Sequence, residues 1–198
     1  MKLVVNGGLV DTIARLSPPL TRKSTHVTEL DFYKFVWQGG HLTLDFSRYP
    51  TGEDAPDVLL STLICARLGS KMPNEASRLR RSLWSVIGEM TALAARSESA
   101  VSDWAPHTRD IMQGGFPKAL GRCWCLTENG YLGLVPGGTQ VGDRVCIFYG
   151  GALPFLVRPC SAKPDTDFRL VGHGYFHGLM HGEAFDLKTF KPQHLTLV

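Results

Sequence analysis

From Gly121 to Tyr175 the chain changes texture, and this stretch constrains the fold more than any other. Short runs rich in β-branched, aromatic and cysteine residues recur there: Cys123 to Thr127, Tyr131 to Leu134, Arg144 to Tyr149, Leu153 to Val157 and Phe168 to Tyr175. Turn residues separate them: Glu128-Asn129-Gly130, Pro136-Gly137-Gly138, Gly142-Asp143, Gly150-Gly151 and Lys163-Pro164-Asp165. Strands this short, joined by turns this tight, pair with their neighbours in sequence. The spacing therefore predicts a small antiparallel sheet that curls into a partly closed β-barrel.

The middle of the chain has the other period. Leu59, Leu60, Leu63, Ile64 and Leu68 follow Asp57, an expected N-cap, and Leu79, Leu83, Val86, Ile87, Met90 and Leu93 follow Asn74. Each set makes an apolar stripe at helical spacing. Two more helices are expected, one from about Ser24 to Trp37 stopped by Gly39-Gly40, the other from Ser102 to Gly114-Gly115. At the front, Leu3 to Val5, Asn6-Gly7-Gly8, then Leu9 and Val10 reads as a hairpin, with Asp11 capping a short helical turn that Pro18-Pro19 ends. The fold class is α+β: one domain over 1–198, with the hairpin at 1–20, a helical part at 21–117 and a β-rich part at 118–198. The helices pack on the sheet, and the hairpin is a candidate member of it.

Composition narrows the function classes. Hydrophobic residues at 43% and charged residues at 20% exclude a disordered chain. The net charge is +3 without any Lys/Arg block, which argues against nucleic acid, and Arg78, Arg80 and Arg81 read as a solvated helix face. No apolar run is long enough to span a bilayer. The five cysteines are an odd number in a chain too large to need disulfide staples, so reduced thiols in the cytoplasm are expected. Cys123 and Cys125 flank Trp124 and share one face of a strand, with no second pair to complete a zinc site.

His173, His177 and His181 recur every four residues, the spacing of a metal-dependent hydrolase if the segment were helical. Gly172, Gly174, Gly178 and Gly182 oppose a regular helix, and His177 is expected instead to bond backbone in a glycine-shaped turn. Glu183 needs a cationic partner once buried, and Arg158 is expected to supply it, with Arg122 next in line. Tyr131, Tyr175, Arg158 and His177 are expected to line the mouth of the barrel, where a small ligand would enter. No Gly-x-Ser-x-Gly elbow and no phosphate loop is present. The binding candidates are Arg122, Tyr131, Arg158, Tyr175, His177 and Glu183; no catalytic set, metal or cofactor is expected.

Three segments carry a resemblance. They are Gly121-Arg122 with Thr127-Glu128-Asn129-Gly130-Tyr131-Leu132-Gly133-Leu134-Val135-Pro136, then Gly142-Asp143-Arg144-Val145, then Gly150 to Arg158 with Leu170 to Ala184, which includes Tyr175-Phe176-His177-Gly178-Leu179-Met180-His181-Gly182-Glu183. Together they resemble the C-terminal signature of fungal heterokaryon-incompatibility (HET-domain) proteins. The front is similar as well, in Leu3 to Leu20 and in Tyr49-Pro50-Thr51-Gly52-Glu53 before a helix. Two departures stand out. His173 and His181 occupy positions that are usually acidic in the family, and the family's effector segments, a Trp-Gly turn and an Ile-Asn-Gln stretch, do not occur. The resemblance thus implies the region C-terminal to the effector domain. It implies a non-enzymatic accessory module of an allorecognition protein that works through a protein partner, and one that does not trigger cell death when expressed alone.

Overall fold

In a computed structural model, which describes residues 2–21, 28–44, 48–66, 73–95, 105–160, 167–188 and 190–198, one long strand organises the sheet. Strand β1 (Leu3–Leu16) runs unbroken for 14 residues. The expected hairpin does not form, and Asp11 caps no helical turn. Asn6-Gly7-Gly8 lies inside the strand, and its two glycines sit where neighbours leave no room for a side chain. A Cβ on Gly7 would collide with the carbonyl of Ile147, and one on Gly8 would lie 2.5 Å from the Phe190 ring. Glycine here serves a close approach of backbones rather than a turn.

Among the described residues four α-helices follow: α1 (Glu29–Thr43), α2 (Ala55–Leu63), α3 (Pro73–Ala95) and α4 (Ala105–Ala119). A capping box of Thr28 and Asp31 starts α1. Helix α2 starts earlier than expected, with Asp54 as N-cap and Pro56 in the first turn, where a fixed φ suits the helix. Asp57 is instead free to pair with Arg80 of α3 at 2.6 and 2.7 Å. Arg78 also pairs, with Asp110 at 2.8 Å, so the arginine run is partly bound into helix–helix contacts. Both glycine pairs expected to stop helices lie inside them. A Cβ on Gly39 would sit 2.5 Å from the Trp124 ring, and one on Gly115 2.8 Å from Leu63. These glycines let α1 approach the sheet and α4 approach α2. Ser24, the expected start of the first helix, and Ser102, the expected cap of the last, lie outside the described residues.

The later strands are β2 (Arg122–Thr127), β3 (Leu132–Pro136), β4 (Arg144–Phe148), β5 (Phe155–Pro159), β6 (Asp167–His173), β7 (Tyr175–Phe176) and β8 (Gln193–Leu197). Strand β8 lies beyond the strands expected from the sequence, although His194-Leu195-Thr196-Leu197 alternates as a strand does. The first part of β1 pairs with β8, its middle with β4, and its last residues with β2. Since β4 pairs with β5, β5 with β6, and β6 with β8, the pairings close a ring of five strands. The β6–β8 pairing is parallel, which a pure meander would not give. Cys146, Val157, Phe168 and Leu195 fill this ring. From β1 the sheet continues through β2 and β3 to β7, and this wing carries the helices. Trp124 is fully buried between them, stacked on Phe35 at 5.4 Å and donating from Nε1 to the Phe35 carbonyl at 2.8 Å.

Candidate functional site

The turn after β7 and the loop before α2 build one polar cluster. Tyr49 is a buried aromatic side chain of that loop, and its hydroxyl ties β3 to the turn after β7. It donates to the His177 carbonyl at 2.8 Å and accepts from the Leu132 amide at 3.0 Å. Burial pushes the Tyr49 phenol far above its ordinary range. Gly178, with φ of 85°, turns the chain behind His177, and a Cβ there would lie 2.5 Å from Thr51. The His177 ring, 1% exposed, is therefore held between the loop and β7.

Its two ring nitrogens have different partners. Nε2 lies 2.6 Å from Glu53 Oε2, and a carboxylate can only accept, so Nε2 carries the proton. Nδ1 lies 3.3 Å from the Tyr175 hydroxyl, which donates to it when the imidazole is neutral. Thr51 adds its own hydroxyl to Glu53 Oε2 at 2.6 Å. The result is a line from Tyr175 through His177 to Glu53 that leads from the core to the surface, where the Glu53 side chain is half exposed. The expectation that His177 bonds backbone through its ring is corrected: a carboxylate 124 residues away in sequence is its partner.

This line forms part of the wall of a cleft of ≈ 1050 Å³ that also takes in Met180, His181 and Glu183. Cys65, Leu153, Tyr175 and Met180 are shared with a smaller hollow of ≈ 280 Å³ lined by Lys118, Arg122 and His173. Arg122 donates from Nη1 to the carbonyls of Leu134 and His173 at 3.2 Å each, and its Nη2 lies 3.2 Å from His173 Nε2. Cys65, at the end of α2, adopts φ of 51°, rare for a side chain other than glycine or asparagine. Burial pushes its thiol up, against the opposing pull of Arg122 and Lys118, so it is held as the weakly nucleophilic thiol.

Of the residues expected at the barrel mouth, Tyr131, Tyr175 and His177 do come together around Tyr49, whose ring meets Tyr131 at 6.3 Å and His177 at 5.7 Å. Burial raises the Tyr131 phenol as well, and Glu183 adds to the rise. Arg158 is elsewhere. Its Nε and Nη2 donate to the two Asp143 oxygens at 2.7 and 2.9 Å, and Nη2 also to the Gly138 carbonyl at 2.8 Å. The expected Arg158–Glu183 pair is thus corrected, and Arg122 is not the substitute, because it bonds His173 and two carbonyls. Glu183 turns back on its own loop and accepts from the His181 amide at 2.7 Å. The three histidines do not converge: His173 meets Arg122, His177 meets Glu53, and among the described residues no group of three or more His, Cys, Asp or Glu side chains is placed to hold a metal ion. The metal-hydrolase arrangement is not assembled. Cys123 and Cys125 share a face as expected, buried on β2 with their thiols pushed up. Nothing in the sequence alone marks Tyr49 and Glu53 as site residues beyond a lone tyrosine among Pro, Thr, Gly and Glu.

Comparison with known proteins gives this geometry a context. No solved structure matches the chain. A curated relative, "Heterokaryon incompatibility protein 6, OR allele" of Neurospora crassa, is 39% identical over 101 residues, which cover 49% of this chain and 15% of the relative. The chain therefore spans a small part of that relative's length. The family described as the Het-6 beta-barrel domain matches residues 51–194, which begin within the Tyr49–Glu53 loop, take in both hollows and end within β8. On that match over most of its length, the chain belongs to the Het-6 beta-barrel domain family of fungal heterokaryon-incompatibility proteins.

Proposed function

We propose that this chain is a non-enzymatic accessory module of a fungal allorecognition protein and works by contact with a protein partner in the cytoplasm. The observation that carries the contact is an apolar groove of ≈ 520 Å³ on the helical part, lined by Trp37, Leu44, Leu59, Trp84 and Ile87 among others. Trp84 is 55% exposed and Leu44 73% exposed at this groove. Large apolar side chains gathered in the open mark interaction sites, and tryptophan is enriched among the residues that dominate binding energy. A partner presenting an apolar helix face or an aromatic anchor fits it. A non-enzymatic reading is supported by the Cys65 thiol, which burial holds up and so weakly nucleophilic. The ordinary charge balance supports a protein partner over nucleic acid.

The test is co-purification after cross-linking from a fungal host expressing the chain as wild type or as Trp84→Glu. The expected result is a defined protein recovered with the wild type and lost with Trp84→Glu, with the same melting temperature and helical content in both. Equal recovery from the two forms would overturn the reading.

A further inference from the structure

The smaller hollow is positively charged. Lys118 stands in the last turn of α4, and Arg122 opens β2 just beyond it. Gly121, with φ of 75°, turns the chain between them, and both side chains line the hollow. Among the described residues no Asp or Glu side chain lines it; Glu53 and Glu183 line the adjoining cleft. Lys118 is exposed and has no hydrogen-bond or ion-pair partner among the described residues. Both cations pull on the Cys65 thiol in the same wall, so they act on one space.

The Arg122 guanidinium is fixed but not neutralised. A guanidinium has five N–H donors. Nη1 donates to the carbonyls of Leu134 and His173, and Nη2 to His173 Nε2. Arginine only donates, so that ring nitrogen accepts, and all the partners are uncharged. Nε–H and the second Nη2–H remain without a partner among the described residues. These two form the parallel edge that matches an oxyanion. Arg158 uses the same edge on Asp143, with Nε at 2.7 Å and Nη2 at 2.9 Å. At Arg122 the edge is already held in orientation, so little rotamer freedom is left to lose on binding.

Two cations suit an oxyanion of two charges. A phosphate monoester carries about −1.5 to −2 at neutral pH and three acceptor oxygens, enough for the Arg122 edge and Lys118 together, whereas a carboxylate carries one charge. Pro117, Leu153 and Met180 give the hollow an apolar side, and its ≈ 280 Å³ suits one ring or a short alkyl chain. We propose that this hollow binds a small organic phosphate monoester, with its phosphate on the open edge of Arg122 and on the Lys118 ammonium. Its apolar group lies against Pro117, Leu153 and Met180. The hollow shares no lining residue with the apolar groove on the helices, so the site stands or falls separately from the protein-contact reading.

The test is calorimetric titration of the full chain with phenyl phosphate. Saturable binding is expected, with benzoate and inorganic phosphate each at least about tenfold weaker, the order of one charge-assisted hydrogen bond. Arg122→Lys keeps the charge but loses the parallel edge, and Lys118→Gln removes an exposed charge. Each should weaken phenyl phosphate about tenfold. Lys191→Gln, an equal loss of charge at an exposed lysine outside the hollow, should bind as the wild type does. Arg122 also bonds backbone, so melting temperatures are compared, and Lys118→Gln decides the matter if Arg122→Lys does not fold. No saturable binding of phenyl phosphate would overturn the proposal. So would benzoate or inorganic phosphate binding as tightly, or Lys118→Gln weakening binding no more than Lys191→Gln. A capped pentapeptide carrying phosphotyrosine that binds more tightly than phenyl phosphate would overturn the small-molecule source.

Discussion

Asp143 shows how one side chain can hold a turn and a strand at once. Its carboxylate is buried, accepts from the Gln140 amide at 2.8 Å, and takes both forks of Arg158. The first bond was legible in the sequence, since an aspartate after a glycine commonly closes a turn onto its own backbone. The second depends on register: β4 pairs with β5 with Arg144 opposite Val157, which sets Asp143 beside Arg158. Glu183 lies past β7, outside that register. An isolated buried carboxylate is costly, so removing the guanidinium should cost more than the pair itself contributes. Arg158→Ala and Asp143→Ala are each expected to lower the unfolding free energy by about 3 kcal/mol. The double variant should cost clearly less than their sum. Urea denaturation of the three variants measures this, and strict additivity would contradict it.

At the level of elements, glycine pairs divide the expected from the observed. In a helix pattern a Gly-Gly pair reads as a stop, because glycine weakens helices and favours the left-handed conformation after them. Gly39 and Gly115 do neither. Each sits where a neighbour comes too close for a methyl group, the Trp124 ring in one case and Leu63 in the other. The apolar stripes of α2 and α3 were legible because they depend only on spacing along the chain, and Leu59, Leu60, Leu63, Leu79, Leu83, Val86 and Met90 are all buried. A pair of opposite substitutions separates propensity from packing. Gly88 lies exposed within α3 with nothing within 4 Å of a Cβ, so Gly88→Ala should stabilise by about 0.5–1 kcal/mol. Gly39→Ala has the same gain in propensity, but its methyl would meet the Trp124 ring. The overpacking cost of about 1–3 kcal/mol should exceed that gain. Thermal melts should therefore move up by roughly 2–4 °C per kcal/mol for the first variant and down for the second.

Across the whole molecule, the core holds thiols that stay protonated. Burial pushes Cys123 up to about 11 and Cys146, inside the ring, up to about 12, from an ordinary 9.0, and Cys125 well above it. Above pH 9 the unfolded chain releases these protons while the folded chain keeps them. The unfolded state then binds fewer protons, so stability falls with rising pH. Their contribution is fully present below about pH 9 and is lost as pH rises toward 11–12. The urea midpoint is expected to decline over that range, and a Cys123→Ala/Cys125→Ala/Cys146→Ala variant should decline less. An equal decline would place the effect elsewhere. Tyr49, whose phenol is raised in the same sense, would be the next group to examine. The sequence alone determined the α+β class, the apolar stripes, most of the strands and the family resemblance. All of these rest on periodicity, turn chemistry and motifs, which are local to the chain. Tertiary structure decided the rest: one strand in place of a hairpin, closure of the ring by β8, Asp143 in place of Glu183 beside Arg158, and Glu53 on His177. Each depends on which distant residues meet, and pairing distance through space leaves no periodic trace along the chain.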